Sequence, residues 1–201
     1  MKKALKKIMY HGDITLTDFY RDIDKGISFF FQSYYAYPHY TFDENHVFVL
    51  HLSPRCYYTF PIVEIVNYYL AKHCKKYLSP MALTAFHEAL SNSLLWGLLK
   101  VKRPEDILDF HKYIEKKLIE TQSQRKTLCV AVQIEPCFSI KIINPYDENF
   151  NFESFQSTPS LHIRGSDILR LFSQMDYDKS TYTLTLNFGE ADNVYQAVAQ
   201  S

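Results

Sequence analysis

Residues 77–99 read YLSPMALTAFHEALSNSLLWGLL, and Glu88 supplies the sole formal charge in this stretch. Apolar side chains recur at three- and four-residue spacing around nearly the whole circumference, which is typical of a helix inside a core. An ionised carboxylate inside a core requires a partner, a shifted pKa or a bound cation. The sequence therefore singles out Glu88 as a residue with a chemical role to explain.

Hydrophobic spacing predicts the elements around this stretch. Ser79 and Pro80 suit the N-cap and the first position of a helix over 81–99. The other predicted elements are a strand at 46–53, helices at 62–76, 103–122 and 166–175, an antiparallel pair of strands in TLCVAVQIE and CFSIKIIN, and a strand at 180–188. This order indicates an α+β fold, a two-layer sandwich with helices on one face of a mixed β-sheet.

The composition narrows the class of protein. A chain of 201 residues with 47% hydrophobic content can bury one substantial core. Its 22 basic and 22 acidic residues cancel, so we expect neither nucleic acid nor a membrane as a partner. The four cysteines form no CxxC pair, and the most apolar window is interrupted by Pro80, Glu88 and Asn92. We expect a cytoplasmic protein with reduced thiols.

Glu88 and Asn92 are four residues apart, so one helical turn directs a carboxylate and an amide oxygen at the same small volume. The amide oxygen of Asn92 can ligate Mg²⁺, and the carboxylate can orient or deprotonate a water or hydroxyl that attacks a γ-phosphate. The same spacing is frequent in helices of unrelated α+β proteins. In that interpretation Glu88 is a core carboxylate that accepts hydrogen bonds from nearby donors.

The stretch ALTAFHEALSNSLLWG resembles the N-box of the GHKL superfamily, which contains gyrase, the large heat-shock chaperones, histidine kinases and mismatch-repair ATPases. It is most similar to the anti-sigma-factor serine kinase branch, whose usual pattern is lavsEAltNaiehG. Glu88, Asn92 and Gly97 match that pattern, and Trp96 stands where a histidine is common. Downstream, CFSIKIIN resembles the strand before the adenine-binding aspartate, and IRGSDILRLFSQMDYDKSTYTLTLNF resembles the family's C-terminal segment.

The resemblance implies the histidine-kinase-like ATPase fold over residues 46–188, with ATP and Mg²⁺ as cofactors. It implies that Glu88 is the general base and that Asn92 binds the metal. The residues expected at the nucleotide are Asn92, Asn144, Arg164, Gly165 and Ser166. Asn144 would contact adenine, Arg164 the phosphates, and Gly165 and Ser166 would form the remnant of the second glycine box.

Two departures from the family limit the expected activity. NPYDENF replaces D-x-G-x-G, so that Asn144 stands in the place of the aspartate and both glycines are absent. Glycines allow a backbone to approach a phosphate closely, and this chain has five in all. We therefore expect weak nucleotide binding and an impaired serine/threonine kinase.

The same resemblance divides the chain into an aromatic-rich N-terminal extension at 1–45, a GHKL-like domain at 46–188 with an inserted helix at 103–122, and a C-terminal tail at 189–201. The expected partners are a sigma-factor or antagonist-like protein domain and, in a homodimer, a second copy of the chain. The alternative function is a catalytically inactive scaffold of the same fold that binds a protein partner without nucleotide.

Overall fold

The computed structural model describes residues 5–32, 42, 45–101, 110–144, 174–188 and 194–196. The helices are α1 (Leu16–Asp24), α2 (Pro54–Thr59), α3 (Ile62–Tyr69), α4 (Pro80–Asn92) and α5 (Phe110–Ser123). The strands are β1 (Lys7–Tyr10), β2 (Phe29–Gln32), β3 (His46–Leu52), β4 (Lys76–Leu78), β5 (Leu128–Gln133), β6 (Ser139–Ile143), β7 (Gln174–Asp178), β8 (Thr183–Asn187) and β9 (Val194–Gln196). Two π-helical segments, Leu70–Cys74 and Ser93–Leu98, continue α3 and α4.

Seven strands form one sheet in the order β1-β2-β3-β5-β6-β8-β7. The pairs β1–β2 and β2–β3 are parallel, and the other pairs in this sheet are antiparallel. Strands β4 and β9 form a separate two-stranded sheet. The mixed sheet and its helices confirm the predicted α+β fold, a two-layer sandwich.

One face of the large sheet carries the main hydrophobic core. Side chains alternate between the two faces along a strand, and Phe48, Val130 and Leu186 are among those on the face that the helices cover. Each of the five described helices contributes buried side chains to this core. The opposite face holds a smaller buried cluster that comes from strands alone: Phe29, Val49, Cys129, Ala131 and Ile143.

The predicted N-terminal extension contributes β1, α1 and β2 to the shared sheet and core. The ring of Phe19 on α1 is fully buried and stacks on Phe30 of β2, with 4.2 Å between the ring centroids. At the end of α1, Asp24 accepts a hydrogen bond from the Tyr68 hydroxyl of α3 at 2.7 Å. These contacts place α1 in the same helical layer as α3.

Four element boundaries differ from the sequence prediction. The strand predicted at 180–188 begins at Thr183 as β8, after a turn. The helix predicted at 62–76 changes to π geometry at Leu70, and β4 begins at Lys76. The helix predicted at 166–175 is wrong at its end, because Gln174 and Met175 pair with β8 as part of β7. Residues 166–173 lie outside the described part of the chain. The predicted C-terminal tail contains β9, which pairs with β4.

Tyr57 joins the helical layer to the centre of the sheet. Its hydroxyl donates to the carbonyl oxygens of Leu50 on β3 at 2.6 Å and Leu128 on β5 at 3.1 Å. The side chain is buried, and burial raises the pKa of Tyr57 well above its usual value, so the hydroxyl remains a donor. One side chain of α2 thus holds two neighbouring strands.

We predict that Tyr57→Phe lowers the free energy of unfolding by about 1 to 3 kcal/mol, because it removes a buried donor from two strand carbonyls. Tyr58→Phe is the matched control: its hydroxyl contacts only the exposed His111 at 3.4 Å, and we expect a change below about 0.5 kcal/mol. Urea denaturation followed by circular dichroism measures both. Equal losses in the two variants would contradict the bridging role of Tyr57.

Candidate functional site

Helix α4 begins as the sequence predicts and meets the core through small side chains. The Ser79 hydroxyl accepts a hydrogen bond from the Ala82 N–H at 3.1 Å, and Pro80 occupies the first turn. The buried stripe of the helix consists of Ala82, Ala85, Phe86, Ala89 and Leu90. Three alanines in this stripe allow the helix backbone to lie close to its neighbours.

Glu88 lies outside that buried stripe. Its side chain is half-buried, and elsewhere on the same helical stretch Met81 is 52% exposed and Trp96 is 41% exposed. The predicted burial around the whole circumference is therefore wrong, because the alanine-rich side of α4 faces the core and several larger apolar side chains face solvent. Glu88 accordingly does not carry the full cost of a charge inside a core.

Glu88 and Asn92 share the last turn and a half of α4, and both are half-buried. No hydrogen bond or ion pair joins either side chain to another residue in the described ranges. A carboxylate and an amide one turn apart are thus accessible to a ligand from the same side of the helix. This arrangement can coordinate a hard cation through oxygen and polarise a bound water.

Asn144 connects the end of β6 to the end of α4. Its side-chain Nδ2 donates to the carbonyl oxygen of Ser93 at 3.0 Å, and its backbone N–H donates to Tyr182 O at 3.1 Å. Ser93 is the residue after Asn92 and the first of the π-helical segment. The structure therefore brings Asn144 next to the turn that contains Asn92, although 51 residues separate Asn144 from Ser93.

The π-helical segment changes the direction of the side chains after Asn92. The Leu99 N–H donates to the carbonyl oxygen of Leu94, five residues earlier, at 2.9 Å. A π-helix has a wider turn than an α-helix and occurs frequently at functional sites. The exposed Trp96 lies in this segment, one turn beyond Asn92. The sequence pattern predicted a helix here but contained no signal for the wider turn.

Asparagine fits the environment of position 144 better than an aspartate would. Asn144 is 4% exposed, and its side-chain amide donates to a carbonyl oxygen. An ionised aspartate has no donor and would place its charge against the Ser93 carbonyl, whereas an amide is neutral and donates. An amide rather than a carboxylate therefore has a structural reason at this position.

The remaining predicted site residues, Arg164, Gly165 and Ser166, lie outside the described residues. In the described ranges, no group of three or more His, Cys, Asp and Glu side chains is arranged to hold a metal ion. A Mg²⁺ ion at Asn92 would therefore take its other ligands from water and nucleotide phosphates, as is usual for this ion.

Two of the four cysteines can be excluded as nucleophiles. None of the four cysteines forms a disulfide, but Cys56 and Cys129 are buried, and burial raises the pKa of each of these two thiols. A thiol with a raised pKa is protonated at neutral pH and reacts slowly.

No helix in the described ranges is long and apolar enough to cross a lipid bilayer.

Comparisons with protein-family profiles, curated proteins and solved structures find no match to this chain. The GHKL resemblance consequently rests on the sequence motifs alone.

We predict that Asn144→Asp destabilises the protein more than Asn144→Ala at pH 7. The alanine variant loses one hydrogen bond to Ser93, a cost of about 1 to 3 kcal/mol. The aspartate variant adds a buried charge beside a carbonyl oxygen, which raises the folded-state pKa of the new carboxyl above its unfolded value of about 3.9. A raised pKa means that the extra cost is present at neutral pH and disappears as the pH falls toward about 4.

Thermal unfolding of both variants between about pH 4 and pH 7 measures this difference. The alanine variant is the control for acid destabilisation of the rest of the protein. An aspartate variant that is as stable as the native chain at pH 7 would show that Asn144 does not depend on its contact with Ser93.

Proposed function

We propose that this chain is a divergent ATP-binding regulatory domain of the anti-sigma-factor serine kinase type, which binds nucleotide weakly. The observation that carries this proposal is the hydrogen bond from Asn144 to Ser93. It brings the end of the strand that resembles the adenine-binding box next to the helix that resembles the N-box. Convergence of two sequence-distant segments is a stronger indication than the Glu88–Asn92 spacing alone.

Three described residues have separate roles in the proposed site. The amide oxygen of Asn92 would hold a Mg²⁺ ion bound together with the nucleotide, and the ion would supply charge neutralisation. The carboxylate of Glu88 orients the attacking water or hydroxyl and accepts its proton. Asn144 would lie on the adenine side of the site, because it follows the strand that resembles the segment before the family's adenine-binding residue.

The same geometry limits the affinity of the proposed site for ATP. One donor of the Asn144 amide is committed to the Ser93 carbonyl, so it is not directed at adenine. The segment NPYDENF also lacks the glycines with which the family approaches the nucleotide. Fewer close contacts reduce the stabilisation of the bound triphosphate.

We predict that ATP binds in the presence of Mg²⁺ with a dissociation constant in the high-micromolar to millimolar range, worth about 4 to 6 kcal/mol. Asn92→Ala should abolish the magnesium-dependent part of binding and leave the fold intact, because it removes a ligand oxygen without burying a charge. Titration calorimetry of ATP with and without Mg²⁺ measures this.

Asn187→Ala, on the sheet face away from the helices, is the matched control for the loss of an amide side chain. Trp96 is the chain's single tryptophan and lies one turn beyond Asn92, so its fluorescence reports ligand near α4. A sub-micromolar dissociation constant for ATP would contradict the proposal that this chain binds nucleotide weakly. Unchanged magnesium-dependent affinity in the Asn92 variant would show that the metal binds elsewhere.

We predict negligible ATP hydrolysis and no robust serine kinase activity, because in-line phosphoryl transfer requires precise positioning of the triphosphate. Any residual hydrolysis should be lost in Glu88→Gln, whereas ATP affinity should change little. Glu120→Gln, an acidic residue on α5 that is ion-paired with Lys117, is the control. Glu88-dependent phosphorylation of a small protein domain would restore a fully catalytic function.

The second candidate function is a scaffold of the same fold that binds a protein partner without nucleotide. The commitment of the Asn144 amide to the protein's own backbone favours this candidate, because it uses up a group that the site would otherwise offer to adenine. Absence of any ATP binding, by calorimetry and by Trp96 fluorescence, would select the scaffold. The partner in either case is expected to be a sigma-factor or antagonist-like domain.

A further inference from the structure

A cleft of about 290 Å³ opens between the α2–α3 junction and one flank of α4. Helix α4 and its π-helical continuation contribute His87, Leu90, Ser91, Leu94 and Leu95 to the lining. Glu88 and Asn92 are not part of it, and His87 and Ser91 each precede one of those residues, about 100° around the helix. The cleft is thus distinct from the proposed nucleotide site.

The described lining of the cleft is largely apolar and aromatic. Ile62, Val63, Leu90 and Leu94 are buried apolar residues that line it. Three aromatic residues close together in the sequence, Tyr57, Tyr58 and Phe60, also line it. The Tyr57 hydroxyl donates to two strand carbonyls, so it is not available to a ligand.

The described lining residues carry one formal charge. Glu64, an exposed residue in the first turn of α3, is the one acidic residue among them. No lysine or arginine occurs among the described lining residues. A carboxylate beside aromatic rings, without a basic residue, attracts cations and disfavours phosphates and carboxylates.

We propose that this cleft binds a small organic cation, a quaternary or alkylated ammonium group with a short apolar or hydroxylated substituent. The aromatic rings contact the cation through their electron-rich faces, and Glu64 supplies the opposite charge. Ser91 offers a hydroxyl to a polar substituent of the ligand. Small-molecule sites usually have volumes of roughly 300 to 1,000 Å³, so this cleft takes a ligand at the small end of that range.

The probe is choline, and its neutral counterpart is 3,3-dimethyl-1-butanol, in which a carbon atom replaces the quaternary nitrogen. Methyl NMR signals of Val63, Leu90 and Leu94 report occupancy of the cleft, and those of Val49 and Ile143, on the opposite sheet face, serve as reference. We expect choline to shift the cleft signals saturably. The alcohol should bind about five- to tenfold more weakly, because it lacks the cation.

Glu64→Gln should weaken choline binding about three- to fivefold and leave binding of the alcohol unchanged. Asp176→Asn removes the same charge from β7, on the sheet face opposite the helices, and should not alter either affinity. Ser91→Phe should block both ligands by filling the cleft. Thermal unfolding of each variant confirms that it is folded.

Equal affinity for choline and the alcohol would overturn the proposal, because the cleft would then take apolar groups regardless of charge. Equal shifts of the cleft and reference signals would also overturn it, since binding would not be localised. Both results are independent of ATP binding at Glu88 and Asn92, so this inference and the proposed function can fail separately.

Discussion

Alternate side chains along the central strands must face the helical layer, because apolar residues such as Phe48, Val130 and Leu186 have to leave water. This constraint sets the register of every strand in the large sheet and draws all five described helices to one face. It also positions α4, whose alanine-rich stripe lies closest to its neighbours. The end of α4, in turn, is where the candidate site forms.

The junction between α4 and β6 positions the residues of the candidate site. Asn144 is buried at the end of β6 and holds the Ser93 carbonyl, just where the helix widens into π geometry. The hydrogen bond fixes the last turn of α4 relative to the sheet while Glu88 and Asn92 remain half-buried. A carboxylate in that position avoids the desolvation cost of a core and is still close enough to solvent to meet a ligand.

Helix α4 contributes side chains to two surfaces with different chemistry. One side presents Glu88 and Asn92, and the adjacent flank lines an aromatic cleft whose described lining carries the charge of Glu64. The two ligands that we propose, a metal-bound phosphate and an organic cation, would bind on neighbouring sides of one helix. The separation follows from the helical period, since residues one position apart differ in direction by about 100°.

The sequence by itself determined the elements whose periodicity is strong: β3, α3, α4, the hairpin of β5 and β6, and the stripe of Ile114 and Leu118 on α5. The α+β class follows from the order of these elements, and the sequence also singled out Glu88, Asn92 and Asn144 as candidate site residues, which stay predictions. Only the tertiary structure decided which side of α4 is buried, because apolar residues occupy more of its circumference than one interface can cover. Likewise, the sequence did not predict β1, β2 and β7 as strands, and pairing with neighbouring strands determines them. The contact between Asn144 and Ser93 has the same origin, since a hydrogen bond across 51 positions depends on how the sheet and the helices pack.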